Sequence, residues 1–233
     1  MQTLCYVLVL LLAGFFEGST WKNSVADEQK LLQNIFGGIM EDNFPLKDIY
    51  FTLLPDGVPK NSTLYRFNLT YGKIVNIGKL LTPKKETCRL DLTDNAVNAA
   101  CEFNLKNAEV HYDGAMSYGR DVQERFSLYA FITEFPFGDH INPASLKIIV
   151  LFKPGGSVDI RQCLITNFLL STVTFPPFWK FNYPPFKKNE NLAVAVWNEF
   201  EVKMFTHVRL TVMNATKDTC IEELNKKTIS TNT

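Results

Sequence analysis

The residues with the most chemistry to offer are sulfurs. Cysteine stands at positions 5, 88, 101, 163 and 220. Cys5 lies in an N-terminal apolar run that reads as a removable leader, so four remain, and an even set in an exported chain forms disulfides. Cys88 and Cys101 lie symmetrically about the polar stretch Thr93-Asp94-Asn95-Ala96. A hairpin centred there sets them opposite each other, which predicts a Cys88–Cys101 bond. By elimination Cys163, on a late strand, joins Cys220, in or just after the last helix, and pins that helix to the sheet. Each bond contributes about 2–4 kcal/mol. Sequence alone leaves the crossed pairings open. Glycosylation sequons start at Asn61, Asn68 and Asn214, each fitting an exported chain.

Catalytic patterns are sparse. Gly114-Ala115-Met116-Ser117-Tyr118-Gly119 has one residue too many for a nucleophile elbow and reads as a hairpin loop. His111, His140 and His207 have no metal-ligand spacing. Lys153-Pro154-Gly155-Gly156 lacks the spacing of a phosphate-binding loop and reads as a turn. Asp91 with Asp94, and Glu222 with Glu223, are surface neighbours without a surrounding motif. Catalysis needs positioned acids, bases or metals in one place. The expectation is therefore a protein that is not an enzyme, with no cofactor and no metal.

The wider composition agrees. Of 233 residues 46% are hydrophobic, with 19 Phe against 3 His. Lys plus Arg and Asp plus Glu both number 24, and this balance excludes an electrostatic nucleic-acid binder, which needs a cationic face. The apolar run Cys5 to Phe16 is shorter than the ~20 residues a spanning helix requires. It reads as a secretory signal within residues 1–20, cut somewhere in 14–20, ahead of a single domain over 21–233. The expected location is extracellular.

Two helical patterns bracket a long β-type stretch. Ser24 and Asp27 resemble a capping box, and Leu31, Leu32, Ile35, Ile39 and Met40 recur at three-to-four spacing. They predict an amphipathic helix over about 25–43, with a bend or close packing at Gly37-Gly38 and an end at Pro45. From about 63 to 173 the period is two. Examples are Tyr65-x-Phe67-x-Leu69-x-Tyr71, Cys88-x-Leu90-x-Leu92, Cys101-x-Phe103-x-Leu105 and Phe126-x-Leu128-x-Ala130-x-Ile132. A phase slip before Ala108, Val110 and Tyr112 reads as a β-bulge. Leu146–Phe152 and Val158–Leu164 flank a Pro-Gly-Gly turn. Tyr129, Phe131, Ile149 and Leu151 fall out of phase, which predicts strands covered on both faces or facing a second apolar layer. Ala193, Val196, Trp197, Phe200, Met204, Val208 and Val212 then mark a helix from about 191 to 215 or beyond. Helix, sheet, helix without strand–helix alternation is an α+β pattern, with one long antiparallel sheet.

What remains for function is apolar. The lining expected for a groove between sheet and last helix is Leu32, Ile35, Ile39, Phe126, Leu128, Trp197, Phe200, Met204 and Val208. Each buried methylene of a ligand there is worth about 0.8 kcal/mol. The segment 174–188 is rich in proline and aromatic residues, with a crude internal echo. Phe175, Phe178, Trp179 and Lys180 suit a membrane-surface or partner contact, with rings in the headgroup layer and ammonium against phosphate.

These pieces resemble the tubular lipid-binding superfamily of bactericidal/permeability-increasing and lipopolysaccharide-binding proteins, takeout and juvenile-hormone carriers and group-seven mite allergens. The look is closest to the mite allergens. The resemblance rests on the helix at Asp27–Met40, the segments Gly72–Leu80 and Leu105–Val110, and the long closing helix. It implies long N- and C-terminal helices packed in a highly curved sheet, a super-roll, that carries or recognises a lipid. A strand-to-helix bond such as Cys163–Cys220 suits that family. The expected function is secreted carriage of a lipid or other elongated hydrophobic ligand. The alternative is a secreted recognition protein for microbial lipid, membrane or host protein, in the manner of innate immunity, without transport.

Overall fold

A computed structural model describes residues 25–54, 64–84, 86–93, 96–118, 122–133, 135–137, 140–142, 144–153, 158–175, 177, 186–187 and 189–229. The expected signal segment, Asn61, the Pro154–Gly156 turn, Phe178, Trp179 and Lys180 lie outside these residues. The fold is α+β: two antiparallel sheets and a long C-terminal helix packed against strands of both.

The first helix, α1 (Val25–Phe36), is 12 residues long rather than running to residue 43. Gly37 closes it with an N–H to the Gln33 carbonyl at 2.8 Å, and Gly38 takes φ 66°. Glycine accepts that left-handed conformation without a Cβ penalty, so the pair ends the helix instead of bending it. Ile39 and Met40 are buried beyond the helix. The short strands β1 (Asn43–Pro45) and β2 (Ile49–Leu53) follow, where no strand was expected.

Both pair with β3 (Tyr65–Val75) at different stretches of its length. A short helix α2 (Ile77–Leu80) leads to β4 (Cys88–Thr93) and β5 (Ala96–Asn104). Then come β6 (Glu109–Tyr118), β7 (Val122–Thr133), and a two-stranded ribbon of β8 (Phe135–Phe137) and β9 (His140–Asn142). The remaining elements are β10 (Ser145–Phe152), β11 (Val158–Thr166), β12 (Leu169–Phe175) and α3 (Glu190–Ile229).

The β-stretch divides where a single sheet was expected. One sheet has the order β1-β3-β6-β7-β12, with β2 also on β3; the other is β11-β10-β5-β4. The chain changes sheet three times beside an asparagine with positive φ: Asn76 before α2, Asn107 between β5 and β6, Asn167 between β11 and β12. Asparagine tolerates this region better than most residues. The phase slip near residue 105 is therefore a change of sheet, not a bulge within one. The β-bulge in β3 lies between Thr70 and Lys73, where Tyr71 has φ 53°.

Gly114–Tyr118, read from sequence as a loop, belongs to β6. Gly114 lies opposite Phe126 on β7, and a Cβ there would collide with the Phe126 ring. A ring folded over a strand glycine recovers buried area that the missing side chain gives up. Gly114→Ala is expected to cost about 1–3 kcal/mol by forcing Phe126 off its site, measured as a shifted denaturant midpoint. An unchanged midpoint would mean the ring moves freely.

Alternation holds on the inner faces: Phe67, Leu69, Val110, Tyr112, Phe126, Leu128, Ala130 and Ile132 are buried. The out-of-phase residues are not covered as expected. Tyr129 and Phe131 are exposed and Ile149 and Leu151 half-buried.

Candidate functional site: the interior along the long helix

The interior is organised by α3, 40 residues long. Asn189 caps it, its Oδ1 accepting the Leu192 N–H at 3.1 Å, one of the donors a helix start leaves unpaired. Val196, Phe200, Met204, Val208, Val212, Thr216, Cys220 and Leu224 are all buried at 0–4% exposure. Their spacing is four, not the 3.6 residues of a turn, so the buried line winds about 280° around the helix over seven steps. A single flat sheet face cannot cover such a line. The six-stranded sheet meets α3 through β2 and β12, and the four-stranded sheet through β11.

At the N-terminal end of this line the lining is aromatic. Phe200 has ring centroids of Phe67 at 4.7 Å, Trp197 at 5.6 Å, Phe51 at 5.8 Å and Phe126 at 5.9 Å. Phe51 also stacks on Phe67 at 5.3 Å and on His207 at 5.4 Å. Protein fills the interior at this level, and Met204, Val208 and Val212 beyond it are equally buried. Further along, the helix contributes the smaller Met204, Val208 and Val212 before reaching Cys220.

The structure unites Phe126, Trp197 and Phe200 directly, and Leu128, Met204 and Val208 are buried in the same core. Leu32, Ile35 and Ile39 are also core residues, but α1 leans on β4, and Phe36 meets Phe103 of β5 edge-on at 6.3 Å. Sequence reasoning missed Phe51 and Phe36. The alternation Ile49-x-Phe51-x-Leu53 was the available signal for Phe51.

Polar chemistry inside is scant. Tyr112 donates its hydroxyl to the Lys47 carbonyl at 3.0 Å, and burial, then the Asp48 charge, push its phenol well above the ordinary tyrosine range. It stays neutral at any physiological pH. The ring lies over Gly72, where a Cβ would strike it. The hydroxyls of Thr174 and Thr216 are buried without a hydrogen-bond partner, as is the Asn68 Oδ1. Thr174→Val, which removes such a group at constant shape, is expected to raise stability by about 1 kcal/mol in urea unfolding; a loss would reveal a partner for the hydroxyl. His111 holds Glu109 at 2.8 Å on the outer face, near Tyr129. Among the described residues no group of His, Cys, Asp and Glu could hold a metal, and no helix is long and apolar enough to cross a membrane.

The sulfurs are partly as expected. Cys88 and Cys101 face each other in the β4–β5 register and form a disulfide, which excludes the crossed pairings. Cys163 and Cys220 are free thiols, both buried, sharing a hydrogen bond. That bond first, and burial second, raise the Cys220 thiol well above its ordinary value. Of the sequon asparagines, Asn214 is exposed on α3 and Asn68 half-buried in β3.

No protein-family model matches this chain, and no curated protein matches it.

Proposed function

We propose that this is a secreted, non-enzymatic binding protein that takes an elongated apolar ligand, a lipid above all, into the interior along α3. The proposal includes a kinship with the tubular lipid-binding superfamily and an inward curl of the sheets about the helix. The observation that carries it is the buried line from Val196 to Leu224, uncharged throughout and shared between two sheets. The ring cluster at Phe200 acts as a plug. The hydrocarbon lies beyond it, beside Met204, Val208 and Val212, where a flexible thioether and short aliphatic groups adapt to a chain. A disulfide fits an oxidising, extracellular setting.

The test is organic extraction of protein purified from a secreting host, followed by mass spectrometry, and titration of the stripped protein with a fluorescent fatty acid. Co-purified lipid and saturable probe binding are expected. A clean extract together with no probe enhancement would end the reading.

One observation favours the second reading, a membrane-surface or partner contact. Phe175 is 72% exposed and Val173 49% exposed on the edge strand β12, with Val173 paired to the exposed Tyr129 of β7. Exposed apolar side chains grouped at a sheet edge are a contact surface more often than chance. Phe175→Ser should weaken liposome binding under this reading and leave it unchanged under the first.

A further inference from the structure

The two cysteine pairs do different mechanical work. In the register of the four-stranded sheet, Cys88, Cys101, Ile148 and Cys163 form one lateral row across β4, β5, β10 and β11. The Cys88–Cys101 bond joins strands already hydrogen-bonded to each other, so it closes a short loop within one sheet and ties no second element to it. Cys220 approaches the other end of the row from the helix, and it meets Cys163 across the boundary between layers. Ile148 separates Cys163 from the existing disulfide by two strand spacings, roughly 9–10 Å, which keeps the pairs from exchanging.

We propose that Cys163 and Cys220 are the site of an oxidative latch that closes the C-terminal half of α3 onto β11 and slows escape of an interior ligand. The latch rests on the ligand-burying reading for its effect on exchange, but not for its chemistry. A Cys163 or Cys220 thiolate attacks an external disulfide, RSSR, breaking its S–S bond and releasing one thiol. The second cysteine then attacks the mixed disulfide, forming Cys163–Cys220 and releasing the second thiol. Two protons pass to the departing sulfurs, the cysteines are oxidised and RSSR is reduced. Both thiols are buried, at 8% and 0% exposure. The exchange therefore proceeds when the last turns of α3 lift from β11, the same movement that opens the interior. Closure spans 57 residues of chain against 13 for the formed bond, so it restricts the open states more.

The experiment starts with unmutated protein from a secreting host. It is alkylated in denaturant without reductant, digested and mapped. A cross-linked peptide pair carrying Cys163 and Cys220 is expected; alkylated Cys163 and Cys220 would overturn the latch. The second arm compares the wild type with Cys163→Ala/Cys220→Ala. A Tm lower by roughly 5–15 °C is expected, with release of a fluorescent fatty acid at least tenfold faster. Cross-linked peptides with an unchanged release rate would overturn the gating role. A wild-type protein that is cross-linked and binds no probe overturns the gating role through failure of the ligand reading, and leaves the bond established.

Discussion

Phe200→Ala lowers stability by about 3–5 kcal/mol, among the largest effects a single truncation in this chain is expected to have. The side chain is fully buried and at the centre of Phe51, Phe67, Phe126 and Trp197, which come from β2, β3, β7 and α3 itself. Removing it takes apolar area from the core and one ring from four aromatic contacts. The neighbours sit on different elements and cannot all collapse into the space, so most of the cavity persists. Denaturant unfolding reads the loss. Phe175→Ala, which truncates a ring that is 72% exposed, serves as the control and should shift stability by less than about 0.5 kcal/mol. A Phe200→Ala loss below about 1.5 kcal/mol would mean the ring cluster is loose, and the plug assigned to it would not exist.

Val208→Asp is expected to prevent accumulation of folded protein, whereas Val202→Asp is tolerated. Val208 is fully buried and Val202 is 68% exposed, on the same helix and six residues apart. An isolated carboxylate in an apolar interior costs several kcal/mol or is forced to take up a proton, comparable with the whole stability of a domain. At Val202 the same group stays in water. Secreted yield and circular dichroism of both variants measure the contrast. Equal tolerance at the two sites would contradict the winding buried line on α3, and with it the enclosed interior that the ligand reading needs.

The two predictions bear on the proposed function from two levels of the line, two steps apart. Phe200 marks where protein fills the interior and Val208 where smaller side chains take over. A carrier needs a stop and, beside it, side chains that can part for a hydrocarbon, because Met204, Val208 and Val212 are as fully buried as Phe200; an interior packed as rings along its whole length would leave hydrocarbon no place.

Much of the local structure was legible in the residues. Two-residue alternation marked β3 to β7, β10 and β11 because a half-buried strand must place apolar groups on one side. The Cys88–Cys101 register followed from symmetry about a polar turn. The start of α3 and its apolar residues followed from three-to-four spacing. The end of α1 was misread because Gly37-Gly38 suits either a bend or a stop, and the decision rests on whether Gly38 turns left-handed. Phe51 went unseen because a five-residue strand is too short for periodicity to speak clearly.

By itself the sequence determined which side of most strands and of the long helix is apolar, since this depends on residues within a few positions of one another. Only the tertiary structure decided that the strands divide into two sheets, that β5 pairs with β10, that Tyr129 and Phe131 face outward, and that Cys163 and Cys220 meet as thiols and not as a disulfide. Alternation reports that one face of a strand is buried but not what buries it. The partner is chosen by hydrogen bonding and packing between segments tens of residues apart, and that competition is settled over the whole chain at once.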